Sequence, residues 1–368
     1  MEGVQRLLVR KSSKIEEWDF WTSEDFKEHI ERDPENVSLR IRYSISLLPS
    51  PLTLKDLRKR VSVTPAITAL ANALQTMPES EDLWMLYLEL YVKNPSAKDG
   101  DVRDMFENGL CYLPECLGLW WRYVAFEQEY SRAEALLKRM LITFVSDKCE
   151  LKDPILRSST VLSIAAQLAK LYADTGCNTD LARAFLSTFL FSKEASDVTT
   201  FSSDKTPKEA KNYVLPLSLT WASRMLTLQD LAIAWLIYIH FFYHGHIPFS
   251  VFHAHPHSYL VRDELFLIKW DAGGMSVRDA VQAPSGAEMS WFKQLFQNCL
   301  DSWGSIELGD DASANMAYMA ILRNYVSFIE LRSKPARVSR FLSGLIECRI
   351  VDIDIMLLQP FEDVSNCF

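Results

Sequence analysis

Three stretches of the chain align without gaps: DPENVSLRIRY (Asp33 to Tyr43), MPESEDLWMLY (Met77 to Tyr87) and LPECLGLWWRY (Leu113 to Tyr123). Each reads Pro-Glu, then leucine five residues after the proline and tyrosine nine after it. Pro34, Leu39 and Tyr43 therefore match Pro78, Leu83 and Tyr87, and these match Pro114, Leu119 and Tyr123. The prolines stand 44 and 36 residues apart, and an apolar residue lies four before each, at Ile30, Leu74 and Leu110. Recurrence at this period restricts the chain to architectures built by stacking one supersecondary unit.

The unit reads as a helical hairpin. A helix ending in ITALANALQTM runs into Pro78, which has no N–H to continue it. Ser80 is then the expected N-cap, with Glu81 and Asp82 in the first turn against the positive helix end. Asn36 fills the same slot in the first unit; Cys116 fills it in the third and is a poor cap. The second helix places Leu83, Tyr87 and Leu90 on one face with Trp84 and Leu88 beside them. The third unit repeats this with Leu119, Tyr123 and Phe126, plus Trp120 and Trp121, and SRAEALLKRMLITF returns as a further helix. Such a hairpin carries more apolar face than it can bury alone, so neighbours must stack.

Helical spacing continues in ILRSSTVLSIAAQLAKLYAD (Ile155 to Asp174) and NTDLARAFLSTFLF (Asn178 to Phe191). The polar run SKEASDVTTFSSDKTPKEAK (Ser192 to Lys211) is expected to be a long loop or hinge. Helices resume at LPLSLTWASRML, and in AYMAILRNYVSFIELRSKPARVSRFLSGLIE the residues Tyr325, Phe328 and Glu330 echo Tyr123, Phe126 and Glu127. The expected organisation is an extension at 1–25, a repeat array at 26–191, the polar segment at 192–211, a second helical array at 212–352 and a tail at 353–368.

Composition agrees with an all-α superhelix of stacked hairpins. Twelve glycines in 368 residues are few for folds that depend on tight glycine turns. A net charge of −9 argues against gripping many phosphates and suits protein partners with Lys/Arg-rich segments. The basic cluster LKDLRKRV (Leu54 to Val61) reads as a solvated helix face. Seven scattered cysteines form no disulfide or metal framework, which points to a reducing compartment. The first twenty residues lack the pattern of a signal peptide. The run LAIAWLIYIHFFY (Leu231 to Tyr243) has 13 residues, too few to span a bilayer and suited to a buried helix.

The stretches LWMLYLELY and LWWRYVAFEQEYSRAEALLKRML, each preceded by proline, resemble the half-a-TPR (HAT) repeat over roughly Phe26 to Phe144. That family is found in RNA-processing scaffolds. The order of the three units is most similar to the C-terminal helical region of the large CCCH zinc-finger exosome adaptors, the fungal Red-type protein and its animal counterpart. The resemblance implies a nuclear, non-enzymatic scaffold with no cofactor. It would bind proteins of the RNA-processing or decay machinery, with RNA reached through those partners. No Cys-Cys-Cys-His finger stands in this sequence, so metal binding of that kind is not implied. An mRNA 3′-end-processing scaffold, which would homodimerise, a splicing scaffold, and a direct RNA-binding module are the alternatives.

Candidate chemistry is sparse. HFFYHGHIPFSVFHAHPH (His240 to His257) holds six of the seven histidines. Spacing of His244 and His246, and of His253, His255 and His257, is compatible with zinc. Prolines 248 and 256 and the absence of cysteine between Cys177 and Cys299 favour a connector between helices instead. DAGGMS (Asp271 to Ser276) reads as a turn, Asp310 and Asp311 as loop residues, and Cys111 and Cys116 as facing different sides of a helix–turn junction. Trp84, Tyr87, Trp120, Trp121 and Tyr123 are able to stack on bases, but their spacing inside a repeat makes them inter-helix core. No P-loop, G-x-S-x-G or H-E-x-x-H is present.

Overall fold

A computed structural model describes residues 21–48, 63–149, 151–174, 179–201, 220–245, 247 and 293–299, with Ala317, Tyr318, Ile321, Leu322, Asn324 and Tyr325. Among these residues every regular element is an α-helix and there is no strand. The chain divides into two compact units, Met1–Glu150 and Leu151–Phe368.

The first unit contains α1 (Ser23–Arg32), α2 (Val37–Ser46), α3 (Thr64–Thr76), α4 (Glu81–Val92), α5 (Asp99–Tyr112), α6 (Leu117–Phe126) and α7 (Tyr130–Val145). The three Pro-Glu motifs are the turns joining α1 to α2, α3 to α4 and α5 to α6. Their helix C-caps share one backbone conformation: Asp33, Met77 and Leu113 have φ/ψ of −134/78, −132/65 and −128/66°. In each turn the C-cap N–H donates to the carbonyl four residues back, at His29, Ala73 and Gly109. The residue two after the proline donates its N–H to the C-cap carbonyl, at 3.4, 3.3 and 3.2 Å.

One further bond recurs that the leucine and tyrosine spacing did not reveal. The side chain six after each proline donates to that proline's carbonyl. Arg40 Nη2 does so at 3.1 Å, and Trp84 Nε1 and Trp120 Nε1 both at 2.7 Å. A proline carbonyl at a helix junction has lost its helical donor, and this bond supplies one.

The expected caps are met in part. Asn36 Oδ1 accepts from Leu39 N at 3.0 Å. Ser80 occupies the N-cap position but its hydroxyl makes no capping bond, and neither does the Cys116 thiol. In both of these turns the indole N–H bonds to the proline carbonyl and no side-chain cap bond is made.

Leu39, Leu83 and Leu119 are buried, as are Trp84, Tyr87, Trp120 and Tyr123. Full burial of one such leucine contributes about 1.5–3 kcal/mol. Tyr43, Trp121 and Phe126 are half-buried. A second position, eight before each proline, is also buried, at Phe26, Leu70 and Phe106. Tyr123 stacks on Phe106 with ring centroids 4.8 Å apart. Consecutive helices pack together, and α2 also touches α4 as α4 touches α6.

The second unit contains α8 (Pro154–Asp174), α9 (Thr179–Phe191), α10 (Ala195–Thr199), α11 (Trp221–Met225) and α12 (Leu228–His244). The apolar run forms α12, and each residue from Leu231 to Phe241 is buried. Thr227 caps it by accepting from Asp230 N at 3.3 Å. Gly245, at φ 73°, ends it by donating its N–H to Phe241 O. Buried Ser158 of α8 accepts from Thr227 N at 2.8 Å and donates to Asp230 Oδ2, which anchors the start of α12 to α8.

The polar segment expected at 192–211 is described as far as Phe201 and includes α10. Helices on either side of it pack on one another. Trp221 N donates to Ser192 O at 2.8 Å, and Phe191 lies edge-on to Trp235 at 5.1 Å. Polarity in a connecting segment reports on that segment and carries no information on whether its flanks touch.

Candidate functional site

The ends of α4 and α6 and the start of α5 leave a groove of about 640 Å³, within the size range of ligand sites. Its apolar lining includes Leu88, Phe106 and Phe126. These are repeat-face residues: Leu88 and Phe106 are buried, and Phe126 keeps a partly open ring. The α6–α7 connection, Glu127 to Glu129, forms the adjoining edge.

Seven charged side chains line the groove: Glu89, Lys93, Asp99, Arg103, Arg122, Glu127 and Glu129. Lys93 Nζ donates to Glu89 Oε1 at 2.8 Å, an i,i+4 pair at the end of α4. Arg122 of α6 lies 3.2 Å from Glu89 Oε2 and also donates to the Met85 carbonyl at 2.6 Å. Arg103 of α5 grips Glu127 with two parallel bonds, Nε to Oε2 at 2.8 Å and Nη2 to Oε1 at 3.2 Å. Arg103 also sits 5.8 Å from the Phe126 ring centre. The Glu127 side chain is only 3% exposed. The hydrogen bond from Arg103 holds its carboxyl below the usual carboxylate range, and the same contact raises the Arg103 guanidinium.

None of the repeat-defining residues lines this groove; they build the turns and the core of the first unit. Tyr87 and Tyr123 have hydroxyls pushed up to about 12, in both cases first by burial. They act as neutral core rings at neutral pH. Burial of Trp84, Tyr87, Trp120 and Tyr123 removes them as a platform for bases; Trp121 alone of that stripe is half open. Pro34 and Pro114 are exposed at their turns, and Pro78 is half-buried.

The histidine stretch divides. His240 is buried in α12 and His244 is the last residue of that helix. His246, His253, His255 and His257 lie outside the described residues, as do Asp271 to Ser276, Asp310 and Asp311. Among the described residues no group of three or more His, Cys, Asp or Glu is placed to hold a metal ion. Cys111 is exposed and Cys116 buried, so the two do face different sides of their junction. Among the described residues no helix is long and apolar enough to cross a membrane.

Sequence reading did not single out the groove cations. Arg103 and Arg122 fall outside the aligned leucine and tyrosine columns, and their partners are 24 residues away in one case and 33 (122 − 89) in the other. Nothing local couples such positions; the packing of neighbouring helices does.

No family model matches the chain, and no solved structure matches it. A curated human protein, named zinc finger C3H1 domain-containing protein, is 25% identical over 279 residues. That match covers 73% of this chain and 12% of the human protein, so the chain spans a small part of the length of this relative.

Proposed function

We propose that the chain is a non-enzymatic helical-repeat scaffold, an α-α superhelix of HAT/TPR-like hairpins that holds partner proteins in nuclear RNA processing or surveillance. The supporting observation is the thrice-repeated turn, with its side-chain bond to the proline carbonyl, together with contact between successive second helices. Stacked units of this kind create extended concave surfaces on which partner proteins dock. The zinc-finger name of the distant human relative supports a nucleic-acid-related setting. On this reading the partners are RNA-decay factors such as the exosome helicase, or polyadenylation factors. RNA is held by those partners and not by this chain.

The test is affinity capture of the full chain from nuclear extract, read by mass spectrometry, beside filter binding of the purified chain to poly(A). Recovery of the exosome helicase or a poly(A) polymerase is expected, with negligible poly(A) binding at about 0.1 M salt. Recovery of splicing components alone, or tight salt-sensitive binding of poly(A), would overturn the proposal.

A further inference from the structure

We infer that residues 192–201 form a releasable strap: they lift from the second unit as one piece, turning at Ser192 and Lys193, while α8, α9 and α12 stay folded, and lifting uncovers the rings of Tyr172 and Phe185. Hydrogen bonds mark the hinge. Ser192 O accepts from Trp221 N at 2.8 Å, and Lys193 O accepts from Arg224 Nη2. From Glu194 to Phe201 every hydrogen bond among the described residues stays inside the strap. Asp197 N, Thr200 N and Phe201 N donate to the carbonyls of Glu194, Ser196 and Val198. The Ser192, Thr199 and Thr200 hydroxyls also donate within it. Raising the strap beyond Lys193 therefore breaks none of these bonds to α8, α9 or α12.

Packing holds the strap down, at two points. In α10 the buried residue is Val198, 1% exposed, while Lys193, Glu194, Ser196, Asp197 and Thr200 are exposed. Phe201 follows, half-buried, with its ring centre 5.3 Å from Phe185 and 5.7 Å from Tyr172. Those two rings are fully buried and lie edge-on to each other at 5.4 Å. A five-residue helix has no stability of its own. A segment seated by two apolar side chains opens at far lower cost than α8 and α9, which bury ten and seven residues. Phe201 is thus the chain's own occupant of an aromatic surface, and the contact is autoinhibitory: access to Tyr172 and Phe185 at this place requires the strap to lift. The device stands whether or not the chain is an RNA-processing scaffold.

Thiol accessibility in the full chain tests this. Val198→Cys puts a thiol under the strap, and Val161→Cys puts one in the core of α8, where Val161 is fully buried. Iodoacetamide labelling of the folded variants is read by peptide mapping, with exposed Cys111 as internal reference. The thiol at position 198 should label at least about a hundredfold faster than that at 161, and at least about tenfold slower than Cys111. Phe201→Ala should speed labelling at 198 at least about tenfold. Ser158→Ala removes the bonds between α8 and the start of α12, and should speed labelling at 161 while leaving 198 unchanged. Circular dichroism checks that each variant folds. If Val198→Cys does not, deuterium exchange on the natural chain decides: amides of residues 194–201 should show a shallower urea dependence than those of α8. A smaller gap between positions 198 and 161, labelling at 198 as fast as at Cys111, indifference to Phe201→Ala, equal acceleration of both sites by Ser158→Ala, or equal urea slopes each overturns the proposal.

Discussion

Replacing Trp84 by phenylalanine isolates the bond that recurs at every Pro-Glu turn. Trp84 is 5% exposed, packs edge-on to Tyr87 at 6.0 Å, and donates Nε1–H to Pro78 O at 2.7 Å. Phenylalanine retains the six-membered ring and most of the packing but deletes the donor. Leaving a part-buried carbonyl unpaired costs about 1–2 kcal/mol. The shorter ring opens space beside Gly109 and Leu119, adding about 1–2 kcal/mol. The expected loss is therefore about 2–4 kcal/mol. Arg40→Met removes the equivalent bond at a turn open to water, at 3.1 Å to Pro34 O, and is expected to cost less than about 0.5 kcal/mol. Urea unfolding followed by far-UV circular dichroism, with slopes compared to confirm that only the midpoint moves, measures both. A Trp84→Phe loss below about 1 kcal/mol, or equal losses for the two variants, would refute the claim that the buried indole bond closes the turn.

Two glycines in adjoining helices should behave oppositely. A methyl group at Gly109 would meet the buried Trp84 ring and Leu119 Cδ1 at 3.3 Å, so Gly109→Ala should destabilise by about 1 kcal/mol. At Gly118 the obstacle is the mobile end of Met85, at 2.7 Å, and Gly118→Ala should fall within about 0.5 kcal/mol of neutral once helix propensity is counted; thermal unfolding of both variants decides. The Cys116 thiol is pushed up to about 12, first by burial, whereas Cys111 is exposed. Iodoacetamide at about pH 7.5 should label Cys111 and spare Cys116 by peptide mapping, and early labelling of Cys116 contradicts that burial. Because the Glu127 carboxyl is depressed in the folded chain, its stabilisation is complete above the unfolded value near ~4.3 and fades as pH falls through the lower folded value. The stability gap between the natural chain and Glu127→Gln should accordingly be largest above about pH 5 and shrink on acidification; a gap that widens toward low pH refutes the assignment.

Much of the first unit was legible before any coordinates. Leu83, Tyr87, Leu119 and Tyr123 announce their burial through spacing, because helical periodicity is a local property of the backbone. The 13-residue apolar run likewise announced α12, since a segment apolar on every side has no face left for water. The cap at Asn36 was readable and that at Ser80 was not: a hydroxyl at the right position forms its bond only if neighbouring packing leaves the rotamer free. The indole-to-proline bond escaped notice because its first instance is an arginine, which shares with tryptophan only a side-chain N–H.

What the sequence determined by itself is therefore the hairpin: where helices stop at Pro34, Pro78 and Pro114, and which leucines and tyrosines turn inward. Those choices rest on interactions spanning at most a few residues along the chain. Tertiary structure alone decided the groove. Pairing Arg103 with Glu127 and Arg122 with Glu89 along one groove required α4, α5 and α6 to come together. Electrostatics and hydrogen bonding depend on distance in space, and that distance is set only when the helices pack together.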